Sequence, residues 1–197
     1  MDQETSREGR DPDRLLGLGK GLKSLAKPLP FPEKNPADFP SVIDLSLRPV
    51  TDADHPLLLR IYASSREQSP DLIRRHPDSR RQIIEHEFHG RQDCYPLDFP
   101  GVEFFVIERN SEAVGRLYLQ DTPRWLFVVD LILLPEWRRR GYGSALLGSI
   151  GAEAAASGRT VRLHVEKQNA EARRLYDRLG FQPIEDIGQH LLLECRP

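Results

Sequence analysis

The chain has 197 residues, 39% of them hydrophobic and 29% charged, with a formal net charge of −2 and a pI near 6.3. That length supports one full core plus an appendage, and the charge balance asks for no nucleic-acid partner. No window has the uninterrupted apolar length of a membrane span, Cys94 and Cys195 fall in no metal or CxxC spacing, and the first residues hold no apolar signal core, so a cytoplasmic protein is expected.

Residues 1–44 begin charged and turn proline-rich through Pro28, Pro30, Pro32, Pro36 and Pro40, the composition of a flexible extension; residues 45–197 then form the folded domain. Within the extension Leu15, Leu18, Leu22 and Leu25 share a helical stripe, but Gly17, Gly19 and Gly21 oppose a helix at about 1 kcal/mol each. Leu45 to Val50 reads as a short strand. Thr51 or Asp52 caps a helix to about Glu67, and Ser79 opens a second helix to about Cys94. His86-Glu87-Phe88-His89 on that helix lacks the histidine at position 90 that H-E-x-x-H needs, so no metal is expected. Val102 to Glu108 and Ala113 to Gln120 flank a turn at residues 109–112 and predict an antiparallel hairpin.

The most informative stretch follows. Trp125 to Leu134 is almost all β-branched, aromatic or leucine, is broken only by Asp130 and is stopped by Pro135: a central strand. Helical pattern resumes at Tyr142. Between them Arg138-Arg139-Arg140-Gly141-Tyr142-Gly143 sets two glycines where backbone can turn and approach a ligand. Amides at a helix N-terminus beside three guanidinium groups make an anion site suited to a pyrophosphate. The dinucleotide fingerprint fails because position 146 is Leu146, and no G-K-[ST] occurs; GLGKGLKS at 17–24 only imitates one. Downstream, LHVEKQNAEARRLYDRLGFQ supplies a strand over Val161 to Val165, the cap Asn169, a helix over Ala170 to Leu179 and the left-handed stop Gly180. Ile184 and His190 to Cys195 give closing strands.

The arginine-glycine turn after a strand ending in an apolar-x-Pro step resembles the acyl-CoA signature of the GNAT superfamily of N-acetyltransferases. Leu175, Tyr176, Leu179, Gly180 and Phe181 resemble that family's second motif, at its spacing from Asn169. The resemblance covers residues 125–182. It implies an α/β (α+β) domain: a mixed, mostly antiparallel sheet of six or seven strands with a splayed parallel pair, flanked by about four helices. It implies acetyl-CoA as cosubstrate, with Leu131, Ile132 and Leu133 pairing to the pantetheine arm. Arg138, Arg139, Arg140, Gly141, Tyr142, Gly143 and Ser144 would hold the pyrophosphate, and Asn169 and Tyr176 also border the cofactor.

The implied reaction is direct attack of a primary amine on the thioester. Tyr176 stands at the family's usual acid position. His164 stands where some members that acetylate protein N-termini carry a glutamate base, Asp130 is the rival base, and a water chain is a third route. Phe88, Gln92 and Tyr95 are expected to line the acceptor side, by analogy of fold. The acceptor is open between a protein N-terminus or lysine and a small amine. Residues 183–195 could pair two copies, leaving monomer or homodimer. The reading from a different class is a CoA-binding regulatory or scaffold module without turnover.

Overall fold

The computed structural model describes residues 45–66 and 69–196. The extension at 1–44, with its leucine stripe and proline run, lies outside the described residues. Seven strands form one sheet: β1 (Leu45–Pro49), β2 (Val102–Arg109), β3 (Glu112–Asp121), β4 (Trp125–Leu133), β5 (Thr160–Glu166), β6 (Gln182–Ile187) and β7 (His190–Cys195). Their order is β1-β2-β3-β4-β5-β7-β6. Only β4 and β5 run parallel; every other neighbouring pair is antiparallel. The helices are α1 (His55–Arg66), the single turn α2 (Pro70–Ile73), α3 (Pro77–Asp98), α4 (Tyr142–Ala156) and α5 (Ala170–Arg178). None in the described residues is long and apolar enough to cross a membrane.

Local chemistry sets these elements. Asn110 and Ser111 take φ of +49° and +63°, the left-handed pair of a two-residue turn that matches strand twist and closes the β2–β3 hairpin. Thr51 and Asp54 form a reciprocal capping box ahead of α1. The second long helix begins earlier than Ser79, because Pro77 occupies its first position with φ already set, and the His76 ring accepts from the Asp78 N–H. It also outruns Cys94 to Asp98, through Pro96 in its last turn.

Two layers of helix cover the sheet. On one face α4 packs on β4 and β5, with Leu146 and Ile150 against a core containing Leu117, Leu119, Leu126, Val128, Val161 and Leu163. Each such side chain contributes about 1.5–3 kcal/mol on burial. α5 packs on the same core through Leu175, Tyr176 and Leu179. On the opposite face α1 and α3 cover Arg116 and Tyr118, with Tyr62 and Phe88 close to the Arg116 guanidinium.

A bulge and a splay in the middle of this sheet create the site. Tyr118 pairs with Asp130 and Leu119 with Val128, so Val129 is an extra residue in β4. Side chains of a regular strand alternate; here Val128 faces α4, yet Phe127 and Asp130 both face α3. The parallel pairing of β4 with β5 runs from Trp125–Thr160 to Val128–Leu163 and ends there.

Candidate active site at the splayed strands

The gap beyond the Val128–Leu163 rung opens into a cavity of about 400 Å³. Val129, Asp130, Leu131 and Ile132 of β4 line one wall, His164, Val165 and Glu166 of β5 the other, with Tyr95 of α3 and Tyr176 of α5 closing its sides. Leu131, Ile132 and Leu133 keep their β3 partners on one edge, while their β5-side edge lies past the last parallel rung.

Below the cavity, the turn into α4 is shaped for an anion. Arg139 has φ +56° and Gly141 φ +84°, a left-handed geometry that glycine adopts freely and arginine only under constraint. The first helical bond runs from Ala145 N–H to Gly141 O, which leaves the amides of residues 142–144 ahead of the ladder. Gly143 faces α5, where a Cβ would only reach contact distance, 3.4 Å, from the Leu175 Cδ2 side-chain tip. The three arginines differ. Arg138 donates to the Leu133 carbonyl at 2.8 Å and to the Ser64 oxygens of α1, so its guanidinium is a brace rather than a ligand to the turn's open side. Arg140 lies over the Trp137 ring. The Tyr142 ring is buried beside Trp137 and Arg109, leaving its backbone to face the turn. Asn169 caps α5 by accepting from Ala172 N–H at 3.0 Å. Ser144 is half-buried in the first turn of α4.

Three titratable groups line the splay. Tyr176 has its pKa pushed up to about 12, chiefly by burial and then by the nearby Asp130 carboxylate, so it stays protonated at neutral pH. His164 sits one residue past the last parallel rung, with its ring against Phe127, and partial burial, then the neighbouring His190, pull its pKa below the ordinary value. It is neutral at pH 7. Asp130 Oδ2 accepts from Arg116 at 2.5 and 2.8 Å and from the Tyr95 hydroxyl at 3.4 Å. Arg116 is 1% exposed and stacks over Tyr118, so a buried guanidinium behind the cavity wall holds Asp130 in place.

A model of the acetyltransferase (GNAT) family matches residues 60–181, more than half of the chain. The chain belongs to the GNAT acetyltransferase family. Its fold is also that of a PaiA N-acetyltransferase from Thermoplasma acidophilum solved with coenzyme A: 16% identity, TM-score 0.60, covering 78% of this chain and 99% of that one. An acetyltransferase from Thermus thermophilus is similar at 23% identity and TM-score 0.54, over 78% and 97% of the two chains. A curated relative, the uncharacterized N-acetyltransferase YycN of Bacillus subtilis, is 29% identical over 97 residues, 46% of this chain. The match spans 62% of that relative's length.

In this GNAT domain the expected residues Asp130, Leu131, Ile132, His164, Asn169 and Tyr176 line one cavity, and the 138–144 turn lies at the start of α4. Of the three expected acceptor-side residues only Tyr95 lines it. Phe88 is buried against Tyr62, and the Gln92 side-chain oxygen accepts from the Tyr118 hydroxyl. Sequence reading missed Arg116, although an arginine inside the apolar run AVGRLYL carries the same signal as Asp130 in its strand. It also missed Arg91, Asp98 and His190 on the cavity wall. A wider groove of about 770 Å³ between α1 and α3, floored by Leu59, Leu72 and Ile84, touches none of the candidate residues.

Proposed function

We propose that this GNAT acetyltransferase moves the acetyl group of acetyl-CoA to a primary amine by direct attack, without an acetylated enzyme. The observation that carries the reading is that Tyr176, His164 and Asp130 all line the one cavity that opens where the β4–β5 pairing ends. The cosubstrate supplies an activated acyl carbon and a thiolate leaving group. The glycine turn fits a pyrophosphate, for its amides ahead of the helix ladder, its left-handed backbone and the nearby Arg139 and Arg140 all favour anionic oxygen. The unpaired edge of β4 at residues 131–133 fits an amide-bearing arm that adds as a strand would.

Proton bookkeeping assigns the roles. A primary amine is protonated at neutral pH, with an ordinary pKa near 10, and must lose protons for its nitrogen to bond to the acyl carbon. His164 is neutral and accepts the first; the second leaves nitrogen as the adduct collapses and restores the Tyr176 phenol once that has given its proton to sulfur. As the carbon–sulfur bond breaks, Tyr176 donates a proton to the sulfur; its raised pKa keeps that proton on the phenol until the thiolate forms. Asp130, held by Arg116, orients the amine and favours its positive charge in the encounter. Asp130 already accepts from Arg116 and from the Tyr95 hydroxyl, which leaves His164 as the group open to take the proton.

The test is calorimetric titration with acetyl-CoA and CoA, followed by a screen of primary amines for thiol release. Wild-type protein should bind with micromolar affinity, and Gly141→Val with Gly143→Val should bind at least tenfold more weakly while keeping its far-UV spectrum. Binding without transfer to any amine would make the chain a CoA-binding regulatory module; no binding by folded wild type would remove the cofactor reading.

A further inference from the structure

The wall that α3 gives to the cavity carries a charge the transfer chemistry does not use. Arg91, Tyr95 and Asp98 follow one another at spacings of four and three, one helical stripe turned to the cavity. The Arg91 guanidinium faces the Tyr62 and Tyr95 hydroxyls and the Asp130 carboxylate. Asp130 is engaged by Arg116, and Glu87, which accepts from the Tyr62 hydroxyl, is paired with Arg66 at 2.8 Å. Asp98 lies two helical turns along α3, and Glu166 lies beside its β7 neighbour His190 at 4.0 Å. Among the described residues no carboxylate stands within ion-pair distance of Arg91. Asp130 is thus taken up by Arg116, while the exposed Arg91 guanidinium, bonded to the Tyr95 hydroxyl, lines the cavity with no ion-paired carboxylate among the described residues.

A guanidinium presents paired donors in a plane, the geometry that a carboxylate or phosphate accepts bidentately. Its position beside Asp130, the group assigned to hold the amine, sets it a short span from the reacting nitrogen. We propose, resting on the amine-acetyltransferase reading, that Arg91 is a specificity residue that holds an anionic group on the acceptor. The acceptor is then a primary amine bearing its own carboxylate or phosphate within a few bonds of the nitrogen, as in an amino acid or a phosphorylated amino sugar. A polyamine would place a second cation against Arg91 and is disfavoured.

Matched acceptors test this. Thiol release is measured for methionine against methioninamide, glucosamine 6-phosphate against glucosamine, and spermidine, with wild type, Arg91→Gln, Arg91→Lys and Arg91→Glu. One charged member should exceed its neutral partner by about 10- to 100-fold in kcat/KM, the worth of a hydrogen-bonded charge pair, and the pair that responds separates carboxylate from phosphate. In Arg91→Gln that ratio should fall toward one, mainly through KM; Arg91→Lys should recover part of it, and Arg91→Glu should turn preference toward spermidine. Equal rates for charged and neutral partners in wild type, or a ratio untouched by Arg91→Gln, would overturn the assignment while leaving amine transfer standing. Failure of every amine to raise thiol release, in protein that still binds CoA, would bring down the transferase reading and this one with it.

Discussion

His164 owes its suitability as a base to where β5 leaves β4. One rung earlier its strand is still paired to β4; here the ring lines the opening, and burial with His190 nearby keeps it neutral. Because its pKa is lowered, the active neutral form is lost only as pH falls below the ordinary histidine value near 6.5. The acid limb of kcat/KM should therefore lie under pH 6.5, and His164→Gln should abolish that limb and cut the rate about 10²- to 10³-fold. A limb that survives the substitution would move the base to Asp130. Tyr176→Phe should lower kcat by a similar factor with CoA affinity retained, and no alkaline limb from Tyr176 should appear below about pH 11, since its pKa is about 12. Asp130 makes the opposite kind of prediction. Its removal leaves Arg116, 1% exposed, without a counter-charge, so Asp130→Ala should cost about 3–5 kcal/mol in urea denaturation as well as activity. Asp130 was visible in the sequence as a charge in an apolar strand. Arg116 carried the same signal, but its pairing with Asp130 was hidden, because that needs the β3–β4 register, which no local pattern prints.

At the scale of elements, β3 and β4 approach closely at Gly115. A Cβ there would lie 2.3 Å from the Ile132 carbonyl oxygen, a backbone atom that cannot yield without moving β4. Gly115→Ala should shift the strand that borders the cofactor, lowering both CoA affinity and thermal midpoint, whereas Gly148→Ala on α4, where nothing stands within 4 Å, should stabilise by about 0.5–1 kcal/mol. Element order and most strand limits were legible from alternation and turn residues. The start of α3 was not, because Pro77 and Ser79 are both good helix openers and the His76 ring that caps the earlier start is not among the usual capping side chains. The bulge was equally hidden: Val129 follows another valine in the same apolar run, and nothing in VVDL marks which residue is the extra one.

For the whole molecule, a ligand that adds to the open edge of β4 and the α4 turn should bind the folded state alone. CoA at about 100 times its Kd would then add about 2.7 kcal/mol, or about 5–10 °C in Tm for a domain of this size, measurable by scanning calorimetry. No shift at saturating CoA would deny that the splay is the binding edge. Val129 has a further consequence. A strand assigns sides by parity, odd residues to one layer and even to the other, and one unpaired residue resets that count halfway along β4. Without the reset, an unbulged strand of the same sequence would turn Asp130 into the apolar layer under α4, and Arg116 would face an empty place across the sheet. One added residue therefore lets the leading half of a single strand serve the hydrophobic interior and the trailing half serve chemistry.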